Sequence, residues 1–315
     1  MGIDSNLRVD LAPRHPKGLL LANPVMVASG TFGYGTEYNG LLDIQRIGAI
    51  VCKGTTLWPR KGNPQPRLVE TASGLLNSVG LENIGVDALI RDKAPVWAKW
   101  QVPVIVNVAG ETWEDYVKVV SKLEGVAGIS GVELNISCPN VLAGGMEFGV
   151  KPDLAAKLTS AVKAATSFPV IVKLSPNVTD IKEIALAVEE SGADAITLIN
   201  TVKGMAIDIR SFQPPAGNSG IRSITGGLSG PAIKPIALYM VFEAAKVLHI
   251  PIMGCGGIAS AQDALEFITA GATAVQVGTA NLSDPGISLK ILSGIDNFMR
   301  KKGIQNLSEL IGTAH

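Results

Sequence analysis

The sequence predicts an α/β fold: a (β/α)8 TIM barrel with an N-terminal β-hairpin and long loops at the carboxyl-terminal rim. Three observations predict it. Short apolar runs that end in small or polar residues alternate with helical stretches along almost the whole chain, and eight such units predict a parallel sheet closed by right-handed crossovers. Hydrophobic residues make up 47% of the chain and charged residues only 17%, which suits parallel strands covered on both faces. The length of 315 residues suits a barrel, a fold that commonly runs to about 250 residues or more. Residues 1–315 are therefore read as a single domain, with about 1–24 forming the hairpin.

In chain order, the runs LRVDL and GLLL flank Pro13, Pro16 and Gly18, which reads as a hairpin able to plug the barrel bottom. The strands are expected at 25–30, 49–54, 104–110, 132–137, 170–175, 195–201, 252–257 and 274–279, where apolar residues cluster. Helical stretches are expected at 38–46, 83–100, 113–123, 153–166, 180–191, 233–248, 261–270 and 288–302. Thr112 and Thr179 stand as N-caps before WEDY and DIKEI. Trp97 and Trp100, at i and i+3, read as packing residues. Three connections are long, at 54–81, 141–152 and 202–230, and all leave the carboxyl ends of strands. In a barrel those ends form the rim where active sites gather.

The charge balance narrows the partners. Lys plus Arg equals Asp plus Glu at 27 each, so no basic field draws nucleic acid or an anionic membrane, and a small molecule is favoured. Three widely spaced cysteines form neither a disulfide framework nor a metal motif, which points to a reducing compartment. The first residues lack the apolar core of a signal peptide and no run reaches about 18 apolar residues, so a cytoplasmic location is expected. Asn6 stands where a myristoylation signature needs Ser or Thr. His15, His249 and His315 are read as surface or structural residues.

The stretch 131–149, GVELNISCPNVLAGGMEFG, carries the densest chemistry. It opens as a strand, ends on Asn135, Ser137, Cys138 and Asn140, and passes into a glycine-rich loop with Phe148 that is a candidate lid. Pro139 stops the ladder by removing a backbone donor. Cys138 thus sits among hydrogen-bonding groups, where a thiol whose pKa starts near ~8.5 can be tuned to move a proton. Cys52 and Cys255 read as buried structural cysteines. The other strand ends contribute Ser29, Lys53, Asn107, Lys173, Asn200, Thr201, Gly256, Gly257, Gly278 and Thr279. Lys53 and Lys173 follow apolar runs with no carboxylate among the strand ends, which favours an anionic ligand over a paired barrel lysine. The glycines of MGCGGI and VGT occupy the place where such barrels commonly hold a phosphate. A Rossmann or Walker spacing is absent. Gly226, Gly227 and Gly230, in TGGLSGP, form a third approach that reads as flexible.

Read together, NISCPN at 135–140, NSVGLEN at 77–83, VIVKLSPN at 170–177, INT at 199–201, TGGLSGPAIKP at 225–235 and GCGGI at 254–258 resemble dihydroorotate dehydrogenase over nearly the whole chain. Cys138, where the membrane-bound class carries serine, resembles class 1. INISCPNV and GGMEFG look more like the 1B catalytic subunits than the stand-alone, fumarate-using 1A enzymes. Leu142 departs from the pattern, since many 1B relatives carry a basic residue there.

The resemblance implies one FMN across the rim, with its phosphate on Gly256, Gly257, Gly278 and Thr279 and Gly230 nearby. The ring edge and ribityl chain would lie near Ser29, Lys53, Gly54, Asn107, Asn135, Lys173 and Ile199. Dihydroorotate would be gripped by Lys53, by Asn77, Ser78, Val79, Gly80 and Leu81, and by Asn135, Asn200 and Thr201, with Lys53 on its carboxylate. Cys138 would take the C5 proton while hydride leaves C6 for the flavin, and Lys173 would oppose the charge of the reduced ring. No metal site is implied on this chain. Electrons would leave to NAD through a partner subunit with FAD and a [2Fe-2S] cluster, since three scattered cysteines cannot hold a cluster that needs four close ligands. A homodimer core flanked by two partner subunits is implied in the same way. Three other readings stay open here: the same reaction with fumarate as acceptor, a Schiff-base lyase using Lys173 or Lys53, and a non-catalytic flavin or phosphate binder.

Overall fold

The chain enters through a hairpin in which β1 (Val9–Asp10) pairs antiparallel with β2 (Leu20–Leu21). The structure, a computed structural model, describes residues 5–137, 148–208 and 222–315. Leu11 and Leu21 of the hairpin are fully buried. Leu19 reaches the amino end of a barrel strand, since a Cβ added to Gly131 would lie 3.5 Å from it. The hairpin thus sits at the barrel bottom, as its sequence predicts.

Eight parallel strands close the barrel, and each falls within its expected run or one residue ahead of it. Of these, β3 (Val25–Val27) and β4 (Ala49–Val51) come first. A pair outside the barrel follows, β5 (Leu68–Thr71) and β6 (Gly74–Asn77). Next come β7 (Val104–Val108), β8 (Gly131–Asn135), β9 (Val170–Lys173) and β10 (Ala195–Leu198). A second outside pair, β11 (Val202–Asp208) and β12 (Arg222–Ser229), precedes β13 (Ile252–Cys255) and β14 (Ala274–Val277). The barrel order is β10-β13-β14-β3-β4-β7-β8-β9. Its strands are buried almost throughout, without alternation, as they must be when one face fills the barrel and the other packs on helices.

The helices are α1 (Val86–Asp92), α2 (Ala94–Trp97), α3 (Trp113–Leu123), α4 (Pro152–Ala165) and α5 (Ile181–Glu190). After them come α6 (Lys234–Ala245), α7 (Ala261–Thr269), α8 (Ala280–Ser283) and α9 (Ile287–Lys302). Thr112 caps α3 in a full capping box with Asp115, the arrangement its sequence predicts. Trp97 is buried and its Nε1 donates to Tyr34 O at 3.0 Å, a packing role as expected.

Four expectations are corrected. Residues 38–46 form no helix but two 3-10 turns, Thr36–Tyr38 and Ile44–Arg46; Gly40 at φ 85 separates them and interrupts any continuous right-handed turn. The stretch 83–100 splits at Lys93 into α1 and α2, with Pro95 in the first turn of α2, and Asn83 stays outside because its side chain accepts from Gly85 N and Thr56 N. The cap of α5 is Asp180, which accepts from Lys182 N at 2.9 Å, and not Thr179. The fourth correction shapes the site. The long connections after β4 and β10 carry strands, and these meet as a four-stranded antiparallel sheet in the order β11-β12-β6-β5. Gly226 and Gly227 are therefore ladder residues, not a flexible approach. A Cβ would lie 2.1 Å from Asn77 O at Gly226 and 2.0 Å from Thr201 Oγ1 at Gly227, so the close strand approach needs glycine.

Candidate active site

Residues at or just past the carboxyl ends of the barrel strands gather at one rim. Asn107 lies on β7, Asn135 ends β8 and Lys173 ends β9. Ser29 and Lys53 follow β3 and β4, Ile199 to Thr201 follow β10, and the glycine groups follow β13 and β14. Over this rim sits the four-stranded sheet, which contributes Asn77 from β6 and Gly226, Gly227 and Ser229 from β12. Between them lies a cavity of about 940 Å³, at the upper end of the ~300–1,000 Å³ that small-molecule sites span.

The structure brings both predicted residue sets to this one cavity. Ser29, Lys53, Gly54, Asn107, Asn135 and Lys173 line it, with Ile199, Gly230, Gly256, Gly257, Gly278 and Thr279. So do Asn77, Ser78, Val79, Gly80, Leu81, Asn200 and Thr201. Cys138, the predicted proton-transfer residue, lies outside the described residues, as do Asn140, Leu142 and most of the candidate lid. Phe148, the aromatic of that lid, is buried and sits edge-on to Tyr116 at 6.0 Å between ring centroids. It packs into the core, which corrects its reading as part of a mobile cover.

The asparagines hold one another. Asn200 Nδ2 donates to Asn135 Oδ1 at 3.1 Å, and the Asn135 carbonyl takes the Tyr116 hydroxyl at 2.7 Å. Asn77 Nδ2 donates to Gly227 O at 3.0 Å, a bond within the overlying sheet that fixes Asn77 over the cavity. Thr279 Oγ1 donates to Ser229 Oγ at 2.9 Å. Leu81 adopts a left-handed φ of 55, the kind of backbone strain that non-glycine residues hold where surrounding structure enforces it.

The two lysines differ. Lys53 pairs with Glu82 at 3.7 Å, and Glu82 is held more tightly by Arg67; these two cations keep the Glu82 carboxyl below its ordinary pKa, Lys53 first. Lys173 is buried, and its Nζ lies 3.9 Å from Cys255 Sγ. Burial opposes its charge, but the Cys255 sulfur and the Glu133 carboxylate more than offset this and hold it above the ordinary lysine value. Burial pushes the Cys255 thiol up, against the pull of Lys173. The site at neutral pH thus holds an ammonium beside a thiol.

Two residues escaped sequence reading. Cys255 lines the cavity, although it reads as a structural cysteine. Glu133 is fully buried on β8; the signal available was a carboxylate in the middle of the apolar run VELNI. Cys52 is buried as expected, with its thiol pushed up to about 12 by burial.

The arrangement fits a phosphate-bearing planar cofactor. Gly257 stands with φ 73 where a Cβ would meet Gly230 O and Lys234 Cβ at 2.8 Å and Lys234 N at 2.9 Å, so only glycine lets the chain pass there. Lys173 supplies a buried cation, and Asn107 Oδ1 is a buried acceptor without a partner among the described residues. Among the described residues, no group of three or more His, Cys, Asp and Glu could hold a metal ion, and no helix is long and apolar enough to cross a membrane.

Comparison with known proteins agrees with this geometry. The family model for dihydroorotate dehydrogenase matches residues 14–299. A protein of Desulforamulus reducens, named dihydroorotate dehydrogenase B (NAD(+)), catalytic subunit, is 55% identical over 94% of this chain and 95% of its own. Proteins of the same name from Geotalea daltonii and Geotalea uraniireducens are 52% and 51% identical over the same shares. By family model and by relatives over nearly its whole length, the chain belongs to the dihydroorotate dehydrogenase family.

Proposed function

We propose that this chain oxidises dihydroorotate to orotate in cytoplasmic pyrimidine synthesis, on an FMN at the barrel rim, and passes the electrons to NAD through a partner subunit bearing FAD and a [2Fe-2S] cluster. The observation that carries the reading is the rim cavity in which a buried ammonium, five asparagines and a glycine-walled pocket converge. FMN, when bound, supplies the two-electron acceptor that side chains lack. Gly230, Gly256, Gly257, Gly278 and Thr279 would hold its phosphate on backbone and hydroxyl donors. Ser29, Gly54, Asn107, Asn135 and Ile199 would line the rest of it. Lys173, cationic and buried, opposes negative charge developing beside it, where low dielectric makes the charge count for more.

Lys53 would meet the substrate carboxylate, exchanging its long contact with Glu82 for a closer anion. The 77–81 stretch, Asn135, Asn200 and Thr201 would fix the ring through paired donors and acceptors. Cys138 takes the C5 proton of dihydroorotate while the C6 hydrogen leaves with its electron pair, which gives orotate. The overlying sheet keeps water from the reacting face. The relatives' name, a catalytic subunit of an NAD(+) enzyme, supports the partner and favours NAD over fumarate. A homodimer core with two partner subunits belongs to the same reading.

An anaerobic absorbance spectrum of the purified chain before and after dihydroorotate tests it. Flavin bands that bleach are expected. A yellow protein that stays yellow rejects the substrate, and a chain that stays colourless after reconstitution with FMN rejects the cofactor. Copurification of a cluster-bearing subunit, with NAD reduced only in its presence, is expected for the electron path.

A further inference from the structure

One layer below the rim, the fully buried Glu133 carboxylate accepts three hydrogen bonds. Asn107 Nδ2 donates to Oε1 at 2.7 Å, while Thr197 Oγ1 at 2.8 Å and Gln276 Nε2 at 2.7 Å donate to Oε2. The donors stand on β7, β10 and β14, so the carboxylate of β8 ties three other strands together across the barrel interior. An ionised carboxylate only accepts. Each amide beside it must therefore turn its NH₂ inward and its oxygen away. That consequence is visible twice: Asn107 Oδ1 and Gln276 Oε1 are both buried side-chain oxygens without a hydrogen-bond partner among the described residues.

An unpaired buried acceptor is costly, and the two orphans are placed differently. Asn107 lines the cavity and Gln276 does not. Asn107 Oδ1 lies against Gly54, where a Cβ would come within 3.1 Å; glycine there leaves no side chain over the oxygen.

We infer that Glu133 is a positioning residue, which fixes the flip of the Asn107 carboxamide so that the rim cavity presents an acceptor to an N–H of the bound cofactor. This rests on the FMN reading above and adds to it a residue that touches neither cofactor nor substrate. The polarity of the wall is set from beneath: a carboxylate in the core decides that the cavity sees an oxygen, not an NH₂.

The substitution Glu133→Gln tests it. The new carboxamide oxygen keeps the side with two donors, Thr197 and Gln276, and its NH₂ faces Asn107. Asn107 must then rotate to accept, and it turns its own NH₂ toward the cavity. FMN dissociation constants, read by flavin fluorescence quenching on the full-length chain stripped of flavin, are expected to rise at least tenfold in E133Q. Asn107→Asp alone sets two carboxylate oxygens against each other and is expected to weaken FMN binding similarly. The double variant E133Q/N107D carries the wild-type charge and again turns an oxygen to the cavity, so binding returns to within about fivefold of wild type. Thr197→Val removes a Glu133 partner without touching Asn107; it lowers the melting temperature and leaves FMN affinity within about threefold.

E133Q that binds FMN like wild type, a double variant no better than the singles, or equal loss in T197V each overturns the inference. If E133Q alone does not fold, the double variant is still expected to fold and bind; one that does neither overturns it as well. A wild-type chain that fails to bind FMN overturns the cofactor reading and this inference together, whereas normal wild-type binding with an unaffected E133Q rejects the role of Glu133 alone.

Discussion

The two ends of the barrel use polar residues in opposite ways. At the amino end Asp194 takes Lys163 and the Val170 N–H at 2.7 Å. Asn23 gives to Arg46 O at 2.9 Å and takes from Val25 N at 3.1 Å, and Asp10 takes Ala12 N and Leu19 N, both at 2.9 Å. These groups complete their hydrogen bonds within the chain. At the carboxyl end, Lys173 finds no closer described partner than a sulfur at 3.9 Å, Asn107 Oδ1 has none, and Leu81 is held at φ 55. The same strands, three to five residues long, run through both ends. The bottom is built for stability, and the rim carries polar groups whose complement is a ligand.

The sharpest way to break this contrast is at Cys138. Removing a general base typically costs ~10²–10⁴-fold, so Cys138→Ala is expected to abolish turnover and Cys138→Ser to lower it by orders of magnitude, with FMN still bound. Steady-state rates beside the flavin spectrum decide, and unchanged turnover in either variant removes Cys138 from the reaction.

Next comes Lys173→Met, which replaces a buried ammonium by an apolar chain of similar length. Reduction by dihydroorotate, followed by stopped-flow bleaching, is expected to slow about 100-fold, a loss of about 2.7 kcal/mol of charge stabilisation. Because Cys255 and Glu133 more than offset the cost of burying that charge, the flavin-free protein should also melt slightly lower than wild type. A large drop in melting temperature with normal reduction would make Lys173 a structural residue like those below.

A smaller effect is expected at the overlying sheet. Gly227→Ala brings a Cβ to 2.0 Å of Thr201 Oγ1 and must displace it, so KM for dihydroorotate should rise about tenfold, or about 1.4 kcal/mol, with kcat changed less. An unchanged KM would separate the sheet from substrate binding.

At the bottom, Asp194→Asn is expected to leave kcat and KM alone while it lowers unfolding stability by about 1–3 kcal/mol, the usual cost of impairing a charged hydrogen-bond acceptor that is mostly shielded from water. Denaturant unfolding of the flavin-free chain reads it directly. A loss of activity without a loss of stability would erase the division between the two ends.

Local pattern was enough to place the barrel and most of its site. Each barrel strand is a short apolar run whose end is marked by a polar residue or glycine, and those marks are the site residues themselves. A parallel barrel delivers all its strand ends to one rim, so listing the ends from Ser29 to Thr279 already lists much of the cavity wall.

What pattern could not decide is whatever depends on pairing between distant segments. The sheet over the site joins residues 68–77 to 202–208 and 222–229, and its glycine-rich strand β12 looks like a loop until a neighbour crowds Gly226 and Gly227. Glu133 looks like a misplaced charge inside an apolar strand until Asn107, Thr197 and Gln276 converge on it from three other strands. Hydrophobic periodicity is a property of neighbours along the chain, but the satisfaction of a buried charge is a property of neighbours in space. Only closure of the barrel brings those donors to one point, and with them the direction in which Asn107 faces.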